Sequence, residues 1–128
     1  MNYSKEELAA YRITRSKESL AEAKLLSQSD HWNTVANRLY YSCFYMASAY
    51  LVLNDFEAST HNGIKTGFNK KLIKTKLLSL KYGQLYNNLF NIRQDADYRD
   101  FKDVRAEKIR PLIGDVEELI NRIADLMR

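Results

Sequence analysis

Side chains able to do chemistry gather at three places in this chain. The first is the run Arg93-Gln94-Asp95-Ala96-Asp97-Tyr98. Arg93 and Asp97 are four residues apart, so on a helix they share a face and can pair with each other. Arg93 also shares that face with Leu85, Tyr86 and Leu89, which turns it at least partly inward. An arginine held at a helix end beside carboxylates and a tyrosine fits phosphate, or can orient a nucleophile. The plainer reading is an ion pair that closes a helix end. The second place is segment 61–82, which holds Lys65, Lys70, Lys71, Lys74, Lys76 and Lys81 and no Asp or Glu. The net charge is only +4, so the rest of the chain is acidic by two. Six lysines without an interleaved carboxylate make a positive field that attracts phosphate backbones in a salt-dependent way, without base specificity. The plainer reading here is a solvated helix face. The third place is Arg38, the single formal charge between Thr34 and Leu53. A buried arginine without an acid is costly, and Asp95 or Asp97 is the expected partner.

Several chemistries are absent. His31 and His61 lie far apart with no HxxxH or CxxC spacing, so no metal site is expected. Gly63 and Gly67 alone make no phosphate-binding glycine loop, and no Ser-His-Asp or Cys-His spacing occurs. No cofactor is implied. The lone Cys43 cannot form an internal disulfide and reads as a small core hydrophobe. The opening residues M-N-Y-S-K-E-E-L lack the apolar core of a signal peptide, and a reducing cytoplasm is the expected setting.

These groups must be positioned by helices. Gly (4) and Pro (1) are scarce, and no strand-like alternation occurs, which argues for helices with short connections. Ser4 to Glu7 has capping-box spacing and opens a first helix running to about Ser27. Its inner face, Ala9, Ile13, Ser16, Leu20 and Ala23, is small and suits close packing. Ser29 or Asp30 is expected to cap a central helix whose core is Thr34–Leu53. That stretch is apolar nearly all round, with stripes Val35, Leu39, Cys43, Met46, Tyr50 and Tyr40, Phe44, Ala47, Leu51. Its tyrosine hydroxyls need partners that lipid cannot offer, so it belongs in a soluble bundle rather than a membrane. Ser59 or Thr60 caps a third helix, and a fourth runs from about Leu78 to Arg99. The last shows the cleanest period, from Ile109 to Met127, and starts either near Lys108 or near Val104 with a kink at Pro111. The expected fold is all-α: one domain over 1–128, an antiparallel up-and-down bundle of four long helices plus one shorter helix.

Three stretches, in order, resemble the HEPN domain (higher eukaryotes and prokaryotes nucleotide-binding). They are N-R-L-Y-Y-S-C-F-Y-M-A at Asn37–Ala47, T-H-N-G-I-K at Thr60–Lys65 and R-Q-D-A-D-Y at Arg93–Tyr98. The resemblance implies an all-α bundle that dimerises. In many members an arginine followed after four to six residues by histidine forms a metal-independent endoribonuclease site at the dimer interface. Such proteins are often toxins paired with a minimal nucleotidyltransferase. Arg93 matches the family arginine. Tyr98 stands where the histidine is expected, and no His follows it. The branch with R-x-x-A-D-Y resembles this chain better.

The function expected on these grounds is a homodimeric binding module for nucleotide or RNA, with a nucleotidyltransferase partner. Asn37, Arg38 and Asp97 would join Arg93 in its polar site. A second expectation is an endoribonuclease in which Arg93 stabilises the scissile phosphate and Tyr98 or His61 replaces the missing histidine. A third is a purely structural or adaptor bundle.

Overall fold

The computed structural model describes residues 2–98 and 104–128, without the side chains of residues 96–98. The described residues form an all-α bundle with four long helices, one short one and no strand. Helix α1 spans Lys5–Leu26. Its capping box is complete: Ser4 Oγ accepts from the Glu7 amide at 3.0 Å and the Glu7 carboxylate accepts from the Ser4 amide at 3.4 Å.

Helix α2, Trp32–Leu53, follows after a 3₁₀ turn, Ser27–Ser29. Its start corrects the expected cap. The cap position is His31, with no side-chain bond. Asp30 takes a left-handed conformation, φ 58°, and its carboxylate instead accepts the Trp32 indole N–H at 3.2 Å. Asp side chains tolerate that region because they bond locally.

The two helices form an antiparallel hairpin, as the order of their paired residues shows: Lys5 with Asp55, Arg12 with Ser48, Ser16 with Ser42, Glu22 with Arg38. The small inner face of α1 lets the backbones approach. Ser16 Oγ donates to the Ser42 carbonyl at 2.6 Å and Ser42 Oγ returns a bond to the Ser16 carbonyl at 3.0 Å, both residues fully buried. All four other α-helices pack on α2, whose Val35, Leu39, Tyr40, Cys43, Met46, Ala47 and Leu51 are buried. Burial pushes the Cys43 thiol well above its ordinary value, in keeping with an inert hydrophobe.

Helix α3, His61–Phe68, is short and runs into a π-helical turn, Asn69–Ile73, where the Lys74 amide reaches back five residues to the Asn69 carbonyl. Lys76 is left-handed (φ 63°) and reverses the chain, and the Leu78 amide closes on the Leu72 carbonyl. Helix α4 spans Leu80–Tyr98 and α5 spans Ala106–Leu126. Helix α5 thus begins ahead of Pro111 and carries it inside, and its buried face is Ile109, Val116, Leu119, Ile120 and Ile123. Glu118 binds Lys81 and the Tyr82 hydroxyl, fastening α5 to α4, while Glu117 binds Lys24 of α1 at 2.9 Å. None of the described helices is long and apolar enough to cross a membrane.

Candidate functional site

The site is built on a tyrosine that the packing of α2 buries. Tyr40 lies on an apolar stripe and is fully buried, so its hydroxyl requires a partner inside the protein. It finds Nδ1 of His61 at 2.8 Å. His61 is delivered by the start of α3. Thr60 caps that helix, its Oγ1 accepting from the Gly63 amide at 2.9 Å, which fixes where the first residue stands. The imidazole then packs against Phe44, Tyr40 and Tyr41, at ring-centre distances of 4.8, 5.7 and 5.8 Å.

Arg93 arrives from α4. Its guanidinium lies over the Tyr40 ring, 4.9 Å from the centre, a cation–π contact. Tyr86 and Phe90 of α4 meet the same ring edge-on at 6.1 Å each. One buried tyrosine therefore touches both of the chemistry-bearing residues that sequence separates by 32 positions. Burial pushes the Tyr40 phenol up to about 12, with Arg93 pulling the other way, and burial lifts Tyr86 well above its ordinary value. Both rings are neutral at physiological pH, so Tyr40 orients the imidazole as a neutral hydroxyl. Held on one ring, the guanidinium is a charged donor for a phosphate and the oriented imidazole is a group that can exchange a proton.

The other anticipated residues are placed as follows. Asp97 and Tyr98, expected in the polar and catalytic sets, lie outside the residues whose side chains are described. Arg38 sits on the neighbouring face of α2. Its expected acid is Asp95 or Asp97, the latter outside the described side chains; the structure puts Glu22 of α1 on Arg38, at 3.3 Å. Asn37 Oδ1 accepts from Arg38 Nε and Nη2 at 3.1 and 2.6 Å. Arg38 also covers Tyr41 at 5.2 Å, and Tyr41 in turn meets Tyr40 at 5.2 Å. Asn37 and Arg38 thus border the site through one ring, tied to α1 by Glu22.

The six lysines divide. Lys65 lies over Phe90 at 4.1 Å, beside the site, and Lys71 over Phe56 at 5.9 Å. Lys70, Lys74 and Lys76 are exposed. Lys81 is paired with Glu118, which raises its pKa. Among the described residues no cluster of His, Cys, Asp and Glu is arranged to hold a metal ion.

The sequence places Tyr40 and Phe44 on an apolar core stripe and singles out neither Tyr41 nor Phe90, so all four are missed as site residues. The signal was available for one of them, since a tyrosine on an apolar stripe must spend its hydroxyl on something.

The HEPN domain model matches residues 9–126. A UPF0332 protein of Thermotoga maritima is 31% identical over 123 residues, covering 96% of this chain and 93% of that protein. Two Methanocaldococcus jannaschii proteins are also similar. "Putative toxin MJ0142" is 28% identical over 86% of this chain and 75% of its own length. "Putative toxin MJ0605" is 26% identical over 97% and 91%. A family match that reaches all five helices and includes each element of the Tyr40 site places this chain in the HEPN domain family.

Proposed function

We propose that the chain is a HEPN-type RNA-binding module whose phosphate site is formed by Arg93 and His61 on Tyr40. The observation that carries this reading is the meeting of His61 and Arg93 on one buried ring. A guanidinium offers phosphate a bidentate charged donor set, and the imidazole is held in a fixed orientation on the same ring. Lys65 at the edge of the site, and the acid-free segment 61–82 that contains it, supply sequence-independent attraction to the backbone. The reading carries over the homodimer and the nucleotidyltransferase partner that the family resemblance implies, and the toxin names of two relatives support a toxin–antitoxin setting. Titrating a fluorescein-labelled single-stranded RNA with the wild type and with Arg93→Ala tests it. At least a tenfold loss of affinity, about 1.4 kcal/mol, is expected; equal affinity refutes the site.

A second reading is favoured by the 2.8 Å bond that holds His61. In it the site cleaves RNA without a metal. Arg93 stabilises charge on the phosphate and His61, oriented through Nδ1, exchanges the proton. Cleavage in the presence of chelator, abolished by either His61→Ala or Arg93→Ala, supports this reading. Absence of cleavage, or cleavage that survives Arg93→Ala, removes it.

A further inference from the structure

The turn that leads into α4 and the end of α5 enclose a second feature, remote from the Tyr40 site. A groove of about 450 Å³ lies between them, with Leu78 and Tyr82 as buried floor and Leu77 and Leu126 on its walls. Leu77 is 51% exposed and Leu126 39%, and Leu80 at the start of α4 is 66% exposed. Tyr82 and Arg93 are eleven residues apart on one helix, which separates groove and site by about 16 Å at 1.5 Å per residue.

The charges around this groove decide what fits it. Lys74 and Lys76 are exposed on the turn before it, and Arg122 of α5 lines it without an ion pair to a described residue. The acids at its edge are engaged: Glu118 with Lys81 and the Tyr82 hydroxyl, Asp125 with Arg128 at 3.5 Å. The unspent charge is therefore positive. A second copy of this chain would bring the same lysines and arginine against their own images in a two-fold contact, and like charges would oppose it. The walls are aliphatic, and the one aromatic among the described residues of the groove, Tyr82, is buried with Lys81 over its ring, so bases find no open face to stack on. A concave slot with a buried floor accepts inserted side chains rather than inserting its own into lipid.

We infer that this groove docks an acidic amphipathic helix of a partner protein. Leucine-type side chains at i, i+4 and i+7 fill the slot between Leu77 and Leu126, and carboxylates on the flanks meet Lys74, Lys76 and Arg122. The inference does not depend on the RNA reading.

The test titrates the ¹⁵N-labelled full chain with a synthetic helical peptide carrying that leucine pattern and glutamates elsewhere. Two control peptides replace the glutamates by lysines, or the leucines by serines. The expected result is saturable amide shifts centred on Leu77, Tyr82, Arg122 and Leu126, with each control at least tenfold weaker. The Leu77→Ser/Leu126→Ser variant alters exposed positions, keeps its RNA affinity and loses peptide affinity at least tenfold. Equal binding of all three peptides, shifts centred elsewhere, or full affinity in the double variant overturns the inference. So does a dimer in sedimentation that the double variant dissociates, which assigns the groove to a second copy. Binding to phosphatidylglycerol vesicles without binding to the peptide overturns it in favour of lipid.

Discussion

The Tyr40 hydroxyl and Nδ1 of His61 lie 2.8 Å apart, joining the middle of α2 to the first residue of α3. The contact answers two needs at once. A fully buried phenol requires a polar partner, and a histidine at the start of a short helix requires something to fix its ring. Tyr40→Phe keeps the packing and removes the bond. It is expected to cost about 0.5–1.5 kcal/mol in urea denaturation. It should also lower RNA affinity, although the hydroxyl itself meets His61 rather than the ligand.

Alkaline pH should unfold the protein through its buried phenols. Burial raises Tyr40 from 10.0 to about 12 and Tyr86 in the same direction. The unfolded chain therefore gives up these protons first. Tyr40's contribution to stability is complete below pH ~10 and is lost as pH rises through about 12, and Tyr86's is lost in the same direction at alkaline pH. Denaturation midpoints should be level from pH 7 to 9 and fall steeply above 10, and Tyr40→Phe should flatten that fall.

Two glycines should respond oppositely to alanine. A Cβ at Gly67 would stand 2.6 Å from Phe56 Cε1 and 2.9 Å from Leu51 Cδ1, the latter in a fully buried residue. Gly67→Ala should destabilise by about 1–3 kcal/mol through overpacking. Gly114 on α5 has nothing within 4 Å of that position, so Gly114→Ala should stabilise by roughly 0.5–1 kcal/mol. Urea midpoints of the two variants check both signs.

The lysines should not be equivalent toward RNA. Lys70, Lys74 and Lys76 are exposed, while Lys81 is paired with Glu118. For each lysine that contacts phosphate, substitution by Gln should lower the slope of log affinity against log salt by about 0.7–1 unit. Lys70→Gln or Lys74→Gln should move the slope more than Lys81→Gln. Equal effects at all six positions would contradict the division seen in the structure.

Much of the fold was legible because it rests on local chemistry. The Ser4–Glu7 capping box and the buried faces of α1, α2 and α5 follow from spacing, which also narrows the α3 cap to Ser59 or Thr60, of which the structure has Thr60. What was not legible depends on contacts between elements. Ser29 or Asp30 was expected to cap α2, but the cap position is His31 and the Trp32 indole claims the Asp30 carboxylate. Arg38 finds Glu22 because the hairpin register, not the sequence near Arg38, sets that pair opposite each other. The π-helical turn at Asn69–Ile73 leaves no periodic trace in five residues. The site suffered most from this. Arg93 and His61 stood out by residue type, but the residue joining them was read as core, since an apolar stripe conceals a tyrosine whose hydroxyl points to another helix.

The chain has only two histidines, and they make the most direct test possible. His61 lies in the site, while His31 is exposed at the start of α2 and serves as an internal reference. Imidazole resonances of both can be followed by NMR while single-stranded RNA is added. The site reading predicts that the His61 signals move saturably, that those of His31 stay in place, and that Arg93→Ala removes the His61 response at the same RNA concentrations. If RNA binds, as judged by the lysine-segment amides, while the His61 signals remain where they are, the phosphate site is not on Tyr40.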